Sequence, residues 1–324
     1  MFKNVIAYRI AAGWQPGLTE LEQALQRLPF AECGATQEQS GGWVPPRGEA
    51  HGPLAESVNG QWVLRYMTEA KMLPASVLAR KVQEKAARIE QETGRKPGKK
   101  ETRDLKDEAK LDLLPMAFTK QGATWVWIDC AARLLVLDCS AQGRADEITT
   151  ALVEALPGLA LALLDTQTSP QAAMAHWLVA QEPPAGFSID RECELKASDE
   201  SKAVVRYARH PLDIDEVQAH IQGGKLPTKL AMSWDDRVSF ILTEGLQLKK
   251  IAFLDTVFEG QAQDDGGFDT DVAIATGELA QLIPDLIAAL GGEGRSLPDG
   301  GAVAAAPSGP LHAPVDGASD DAPF

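Results

Sequence analysis

The hydrophobic period of the chain changes at Pro74, and that change limits the folds open to it more than any other feature. Upstream, residues 61–68 (QWVLRYMT) read as a β-strand rich in aromatic and β-branched side chains. Downstream, Leu78, Val82, Ala86 and Ile89 recur at helical spacing, with Lys81, Lys85 and Arg88 along their flank. The run 93–100 (TGRKPGKK) interrupts that helix with Gly and Pro. A second helix continues to about Leu114, where Pro115 stops it. Strand-forming sequence resumes at 124–129 (TWVWID). The expectation is a helical hairpin over 74–118, inserted into a β-rich body and tipped with Arg95, Lys96, Lys99 and Lys100.

In the body, residues 2–10 read as a strand, and 19–28 as an amphipathic helix with Leu21, Leu25 and Leu28 on one face. The Gly/Pro-rich stretch 40–48 must be loop or sheet edge. Residues 124–129 and 134–139 form a β-hairpin around Cys130-Ala131-Ala132-Arg133, followed by a helix over 145–156 and an apolar strand over 159–164. Past the break at 183–186 (PPAG) come a basic strand at 203–210 and a short helix at 214–221. A meander of 229–234, 238–243 and 248–254 follows, and a helix at 279–290 is ended by Gly291-Gly292. No regular βαβ alternation is present, so the expected class is α+β with mixed or antiparallel sheets. The body spans 1–73 and 119–293, with 183–186 as the place where two subdomains would divide. Residues 294–324 are Ala, Gly, Pro, Ser and Asp for the most part. They hold too little apolar surface to offset ordering entropy, and a disordered tail is expected.

The formal net charge is −15, which on average repels a polyphosphate. The charge is segregated, however. Between Glu69 and Lys110 stand twelve Lys/Arg and eight Asp/Glu, a surplus of four, so the remainder carries −19. Such a basic element is either a solvated hairpin laced with i,i+4 ion pairs or a binding surface. At 44% hydrophobic residues the chain can bury a sizeable core, and no apolar run approaches the roughly 20 residues that span a bilayer. The opening MFKNVIAYR lacks the long apolar stretch of a signal peptide. Cys33, Cys130, Cys139 and Cys193 lie far apart without a C-x-x-C pair and read as reduced, buried thiols. Together these point to the cytoplasm.

The search for catalytic chemistry returns little. The run 223–229 (GGKLPTK) has the letters of a phosphate loop in the wrong spacing, and Pro227 lacks an N–H such a loop would need. Neither G-x-S-x-G nor H-E-x-x-H occurs. The five histidines (His51, His176, His210, His220, His312) are scattered. Asp264, Asp265, Asp269 and Asp271 cluster near Gly266-Gly267, but not with the alternate spacing of a calcium loop; an acidic turn is the plainer reading. No metal, cofactor or catalytic residue is expected. Cations suited to phosphates are better represented. Arg103, Lys106 and Lys110 fall at i, i+3, i+7 on one helix face, and Arg206, Arg209 and His210 form a second group in an otherwise acidic half. Trp125 and Trp127 share one side of a strand, where core packing explains them better than base stacking.

Several segments, in order, resemble the RdgC family of recombination-associated proteins: FKNVIAYRI, FAECGATQEQSGGWVPP, MLPASVLARKVQEK, TRDLKDEAKLDLLPMAF, TWVWID, LLVLDCS, TKLAMSWDDRVSFIL, LKKIAFLD and DVAIATGELAQLIPDLIAALGGE. The likeness runs from Phe2 to Glu293, and the tail departs from it. The resemblance implies a nucleoid-associated homodimer closed into a ring around double-stranded DNA. It also implies sequence-nonspecific binding and restraint of recombination promoted by the RecA recombinase. Cations facing the hole would be drawn from Lys81, Lys85, Arg88, Arg95, Lys96, Lys99, Lys100, Arg103, Lys106, Lys110, Arg206, Arg209 and His210. Phe118, at the end of the hairpin, would serve the subunit contact; on its chemistry alone it reads as core. Two alternatives stay open: a protein acting on the recombinase directly, and a metal-dependent nuclease built on Asp264 to Asp271.

Overall fold

A computed structural model of the chain describes residues 1–258 and 267–294. The first half contains β1 (Asn4–Ile10), α1 (Leu18–Leu25), β2 (Gln39–Val44), β3 (Ala55–Val58) and β4 (Gln61–Met72). The hairpin arm follows as α2 (Ala75–Thr93) and α3 (Lys99–Leu113). The chain re-enters the sheet as β5 (Phe118–Asp129) and β6 (Leu134–Asp138), then runs through α4 (Gln142–Ala155) and β7 (Leu161–Leu163). The second half contains α5 (Pro170–Ala180), β8 (Phe187–Ala197), β9 (Val204–Ala208), α6 (Asp215–Gln222), β10 (Lys225–Trp234), β11 (Val238–Thr243) and β12 (Leu248–Phe253). A short α7 (Asp255–Phe258) and the long α8 (Phe268–Ala289) end it.

All the strands join one antiparallel sheet, in the order β2-β4-β5-β6-β1-β12-β11-β10-β8-β9, with β3 beside β4 and β7 beside β1. The class is α+β. The halves meet where β1 and β12 pair through Asn4↔Lys249 and Val5↔Leu248. Because successive strand residues face opposite sides, β1 feeds two cores at once. Ile6, Tyr8 and Ile10 pack with Leu21 and Leu25 of α1 and with Ile148 and Leu152 of α4. Val5 and Ala7 face Met174 and Leu178 of α5 and Leu279, Leu282 and Leu286 of α8.

Several elements differ from the sequence expectation for identifiable reasons. The first helix stops at Leu25, and Leu28 is exposed, because the chain turns there to pair Phe30 and Leu28 with Trp43 of β2. The Gly-rich 39–44 segment is the end strand of the sheet. A Cβ on Gly42 would lie 2.5 Å from the Phe30 backbone nitrogen, so this strand requires glycine there. The final helix begins eleven residues earlier than its apolar spacing suggested, at Phe268. Over 22 residues it is apolar enough, by composition, to cross a bilayer, but it packs on the sheet with Leu279, Leu282 and Ile283 buried. Of the four free thiols Cys139 and Cys193 are buried as expected; Cys33 is intermediate, and Cys130 is exposed on the tight β5–β6 turn. Burial pushes the Cys193 thiol up to about 12 and the Cys139 thiol to about 11, which leaves both protonated and inert at neutral pH. The expected tail lies outside the described residues.

Candidate nucleic-acid interface

The arm stands on the ends of β4 and β5, whose twelve-residue strands pair from Trp62↔Ile128 to Met72↔Phe118. Its helices meet through a narrow seam. Leu105 and Ala109 of α3 are buried, whereas no α2 side chain is, and Leu78, Val82, Ala86 and Ile89 are only half-covered. Gly94 takes the left-handed conformation that ends α2, its N–H donating to Glu90 O at 2.9 Å. At the base, Lys71 Nζ donates to the Ala35 and Leu114 carbonyls (2.7 and 3.0 Å), tying the arm to the body.

The structure divides the arm's cations into two sets. Lys85 reaches across to Asp112 (2.8 Å) and Glu108 (3.1 Å) on α3. Those carboxylates raise its ammonium above the ordinary value, and it lowers Asp112 in return. Arg88 pairs with Glu92 at 3.0 Å, Arg95 with Glu101 at 2.8 Å, Lys81 more loosely with Glu84, and Lys110 with Glu38 of the body. Lys96, Lys99, Lys100, Arg103 and Lys106 are exposed and make no ion pair among the described residues. Lys99, Arg103 and Lys106 fall at i, i+4, i+7, so they form one stripe running down from the tip, with Lys96 and Lys100 beside its start. The i, i+3, i+7 series expected from sequence is thus shifted one turn towards the tip: Lys99 joins it, and Lys110 is neutralised.

The second basic group is built differently. On the face of β8–β10 opposite the core, Glu194 sits between Arg206 of β9 (2.6 Å) and Lys229 of β10 (3.1 Å) and also accepts from Thr228 Oγ1 at 2.8 Å. Burial works against the charged form, yet Arg206, Thr228 and Lys229 together hold this carboxyl down at about 2. Arg206 is therefore occupied by its own chain's Glu194. Arg209 is exposed, has a left-handed backbone (φ 57°) and makes no ion pair among the described residues; His210 beside it bonds the Pro211 carbonyl at 2.8 Å. Glu194→Gln should release Arg206 and Lys229 and steepen any salt dependence of DNA binding. Because the folded value is depressed, the stability Glu194 contributes is present above about 4.5 and is lost as pH falls through about 2. Denaturant unfolding should find the variant less stable by about 1–2 kcal/mol at pH 7, the full shift being screened by solvent, with the gap closing at pH 2.5.

Trp127 is fully buried, its ring edge-on to Phe2 and its Nε1 donating to Gln61 at 2.7 Å. Trp125 is half-buried against Phe268 and carries the Arg65 guanidinium 5.1 Å from its ring centre. Both behave as packing residues. Phe118 is not core: it is 86% exposed, beside exposed Met72 and Met116. Hydrophobicity alone suggested burial; its place on the last pair of the β4–β5 ladder leaves the ring little to pack on among the described residues. Asp264 and Asp265 lie outside the described residues. Asp269 pairs with Arg47 at 2.6 Å, and among the described residues no three His, Cys, Asp or Glu side chains group as metal ligands.

A family model described as "Putative exonuclease, RdgC" matches residues 1–293. A recombination-associated protein RdgC from Dechloromonas aromatica is 42% identical over 299 residues, covering 90% of this chain and 98% of the relative. Proteins of that name from Bordetella pertussis and Cupriavidus pinatubonensis are each 43% identical, over 91% of this chain and 99% of their own length.

Proposed function

The chain belongs to the RdgC family of recombination-associated proteins, and on that premise we propose that it is a non-catalytic protein that binds double-stranded DNA without sequence preference. It acts in the cytoplasm on the nucleoid, as a ring-shaped homodimer that restrains RecA-dependent recombination. The observation that carries this reading is the set of five cations without an ion pair among the described residues, Lys96, Lys99, Lys100, Arg103 and Lys106, gathered on one projecting arm of an acidic chain. Long flexible side chains in a stripe suit phosphates, which hold position on a duplex but carry no sequence information. Restricting them to an arm lets the body stay acidic while one surface attracts DNA. The exposed Phe118, Met116 and Met72 support self-association, since an apolar cluster of this kind marks a contact surface.

A salt-titrated binding curve tests the reading. Log affinity should fall linearly with log salt, by about 0.9 per neutralised phosphate, with equal strength for unrelated duplexes. A flat response would favour direct action on the recombinase, and strong discrimination between duplexes would remove phosphate reading altogether. The nuclease suggested by the family model's description is tested by incubating labelled duplex with magnesium or manganese; progressive shortening would replace the non-catalytic reading.

A further inference from the structure

The outer edge of β7 meets no named strand among the described residues; its one partner is β1, through Tyr8↔Leu163, Arg9↔Ala162 and Ile10↔Leu161. The bonds around that ladder fix which way each backbone group points. Leu164 N–H donates to Ala7 O and Ala11 N–H to Ala160 O, both at 3.0 Å, so Ala160, Ala162 and Leu164 face β1. Leu161, Leu163 and Asp165 therefore turn N–H and C=O away from it. The Asp165 carbonyl has a partner on that side: it accepts from Gly294 N–H at 2.9 Å, and Gln167 N–H donates to Gly292 O at 3.0 Å. These two bonds bracket the antiparallel bridge Thr166↔Glu293. Arg9 fixes the bridge by two bonds of 2.8 Å to the Glu293 carboxylate. At Gly294, the last described residue, the chain is thus already paired and directed along β7 from its C-terminal end.

We propose that residues 295–298 (RSLP) prolong this bridge into a strand on the outer edge of β7. Keeping the register sets Ser296 opposite Leu163 and Pro298 opposite Leu161. Ser296 N–H then donates to Leu163 O, and Ser296 O accepts from Leu163 N–H. Pro298 can accept from Leu161 N–H but has no N–H for Leu161 O, so the ladder ends there. The edge suits this occupant. Leu163 is 48% exposed and would be covered. Alternation puts Leu297 on the face of Glu293 and Arg9, next in the cross-strand row Leu134–Arg9–Ala162. Arg9 and Leu134 line a cavity of about 400 Å³ whose far wall is Ile283, Pro284 and Ile287 of α8. Leu297 is the one large aliphatic side chain in 295–302, and beside the small Ala162 it would close that cavity's sheet side. Tethering at Gly294 keeps the segment at high effective concentration on the edge. The tail expected from composition then begins at Asp299.

Ser296→Pro tests the register, because it removes the donor aimed at Leu163 O and sets a ring against β7. In the parent, Leu163 N–H should exchange with solvent deuterium about 100-fold or more slower than an unstructured amide. The variant should lose about tenfold or more of that protection, while Leu164 N–H, bonded to Ala7, keeps its own. Ser296→Ala retains the N–H and should match the parent. An unprotected Leu163 in the parent, or protection that survives the proline, overturns the strand. Should the proline variant fail to fold, a disulfide decides. In a Cys33→Ser, Cys130→Ser background, Ala162→Cys with Leu297→Cys forms a non-hydrogen-bonded pair, about 4.5 Å between Cα atoms and within disulfide reach. It should close within one chain about tenfold faster than Ala162→Cys with Val303→Cys or Leu311→Cys. Equal or reversed rates give the edge to a later stretch and overturn the proposal; closure between chains gives it to a second copy and does the same.

Discussion

Replacing Lys96, Lys99 and Lys100 together by glutamate should cut affinity for duplex DNA by about 500-fold at 0.1 M salt. Each phosphate contact contributes about 0.9 decade at that concentration, so three contribute about 2.7 decades. Loss should be equal for unrelated sequences, and the log–log salt slope should flatten by about three units. The three side chains are exposed and make no ion pair among the described residues, so helix content and melting temperature should hold. Arg95 is best left in place, because its contact with Glu101 organises the start of α3, where Glu101 also accepts from Gly98 N–H. An intact variant with unaltered affinity would remove the arm tip from the binding surface and leave Arg209 as the stronger candidate. Sizing before DNA is added separates loss of contacts from loss of the proposed dimer.

Trp127→Ala should destabilise the chain by about 3–5 kcal/mol, seen as a lower denaturant midpoint at unchanged slope. The ring is fully buried on the central part of the sheet, against Phe2 and the core shared with α5 and α8. Its removal leaves a cavity and strips Gln61 Oε1 of its donor. Trp125→Ala, two residues earlier on the same face and half-exposed, should cost only about 1–2 kcal/mol. If Trp125→Ala instead left stability intact and lost DNA affinity, the ring would be a stacking platform. A Trp127→Ala variant as stable as its parent would mean that the sheet face is not core.

The arm was legible because a period of 3.6 bounded by two prolines is a strong local signal; α2 and α3 fall where Leu78, Val82, Ala86 and Pro115 put them. β5 was read as starting at Thr124 because 118–123 (FTKQGA) carries no alternation. A half-strand exposed on both faces has no buried side to enforce it. β8 was missed for a related reason: its register against β10 shifts between Ile189 and Cys193, which breaks the period-two pattern in the middle of the strand. α5 (PQAAMAHWLVA) is apolar on most sides and offers no amphipathic stripe, as befits a helix pressed into the core. The candidate DNA surface was legible as composition but not as geometry. Which cations are free depends on partners brought in by the fold: Glu38 reaching Lys110, Asp112 reaching Lys85 from the opposite helix, and Glu194 holding Arg206 from the neighbouring strand. By contrast, the arm pairs Arg80–Glu84, Lys81–Glu84 and Arg88–Glu92 have the i,i+4 or i,i+3 spacing that a sequence displays.

The two-sided β1 has a consequence for how the chain is made. As the polypeptide leaves the ribosome, β1 through β7 can complete their ladders with one another, and α1 and α4 can cover one face of that half-sheet. The opposite face, with Val5, Ala7, Trp127, Leu134 and Val136, stays incompletely covered until α8 arrives, because that helix supplies much of its cover alongside α5. From Leu163 to Ala289 about 126 residues must still be translated, roughly 6–25 s at ordinary elongation rates. For that interval the nascent half-protein presents an apolar sheet face to solvent, and a factor that shields nascent chains should engage it between β7 and the emergence of α8. Ribosomes stalled after residue 200 should carry that factor, and ribosomes stalled well past residue 289 should have released it.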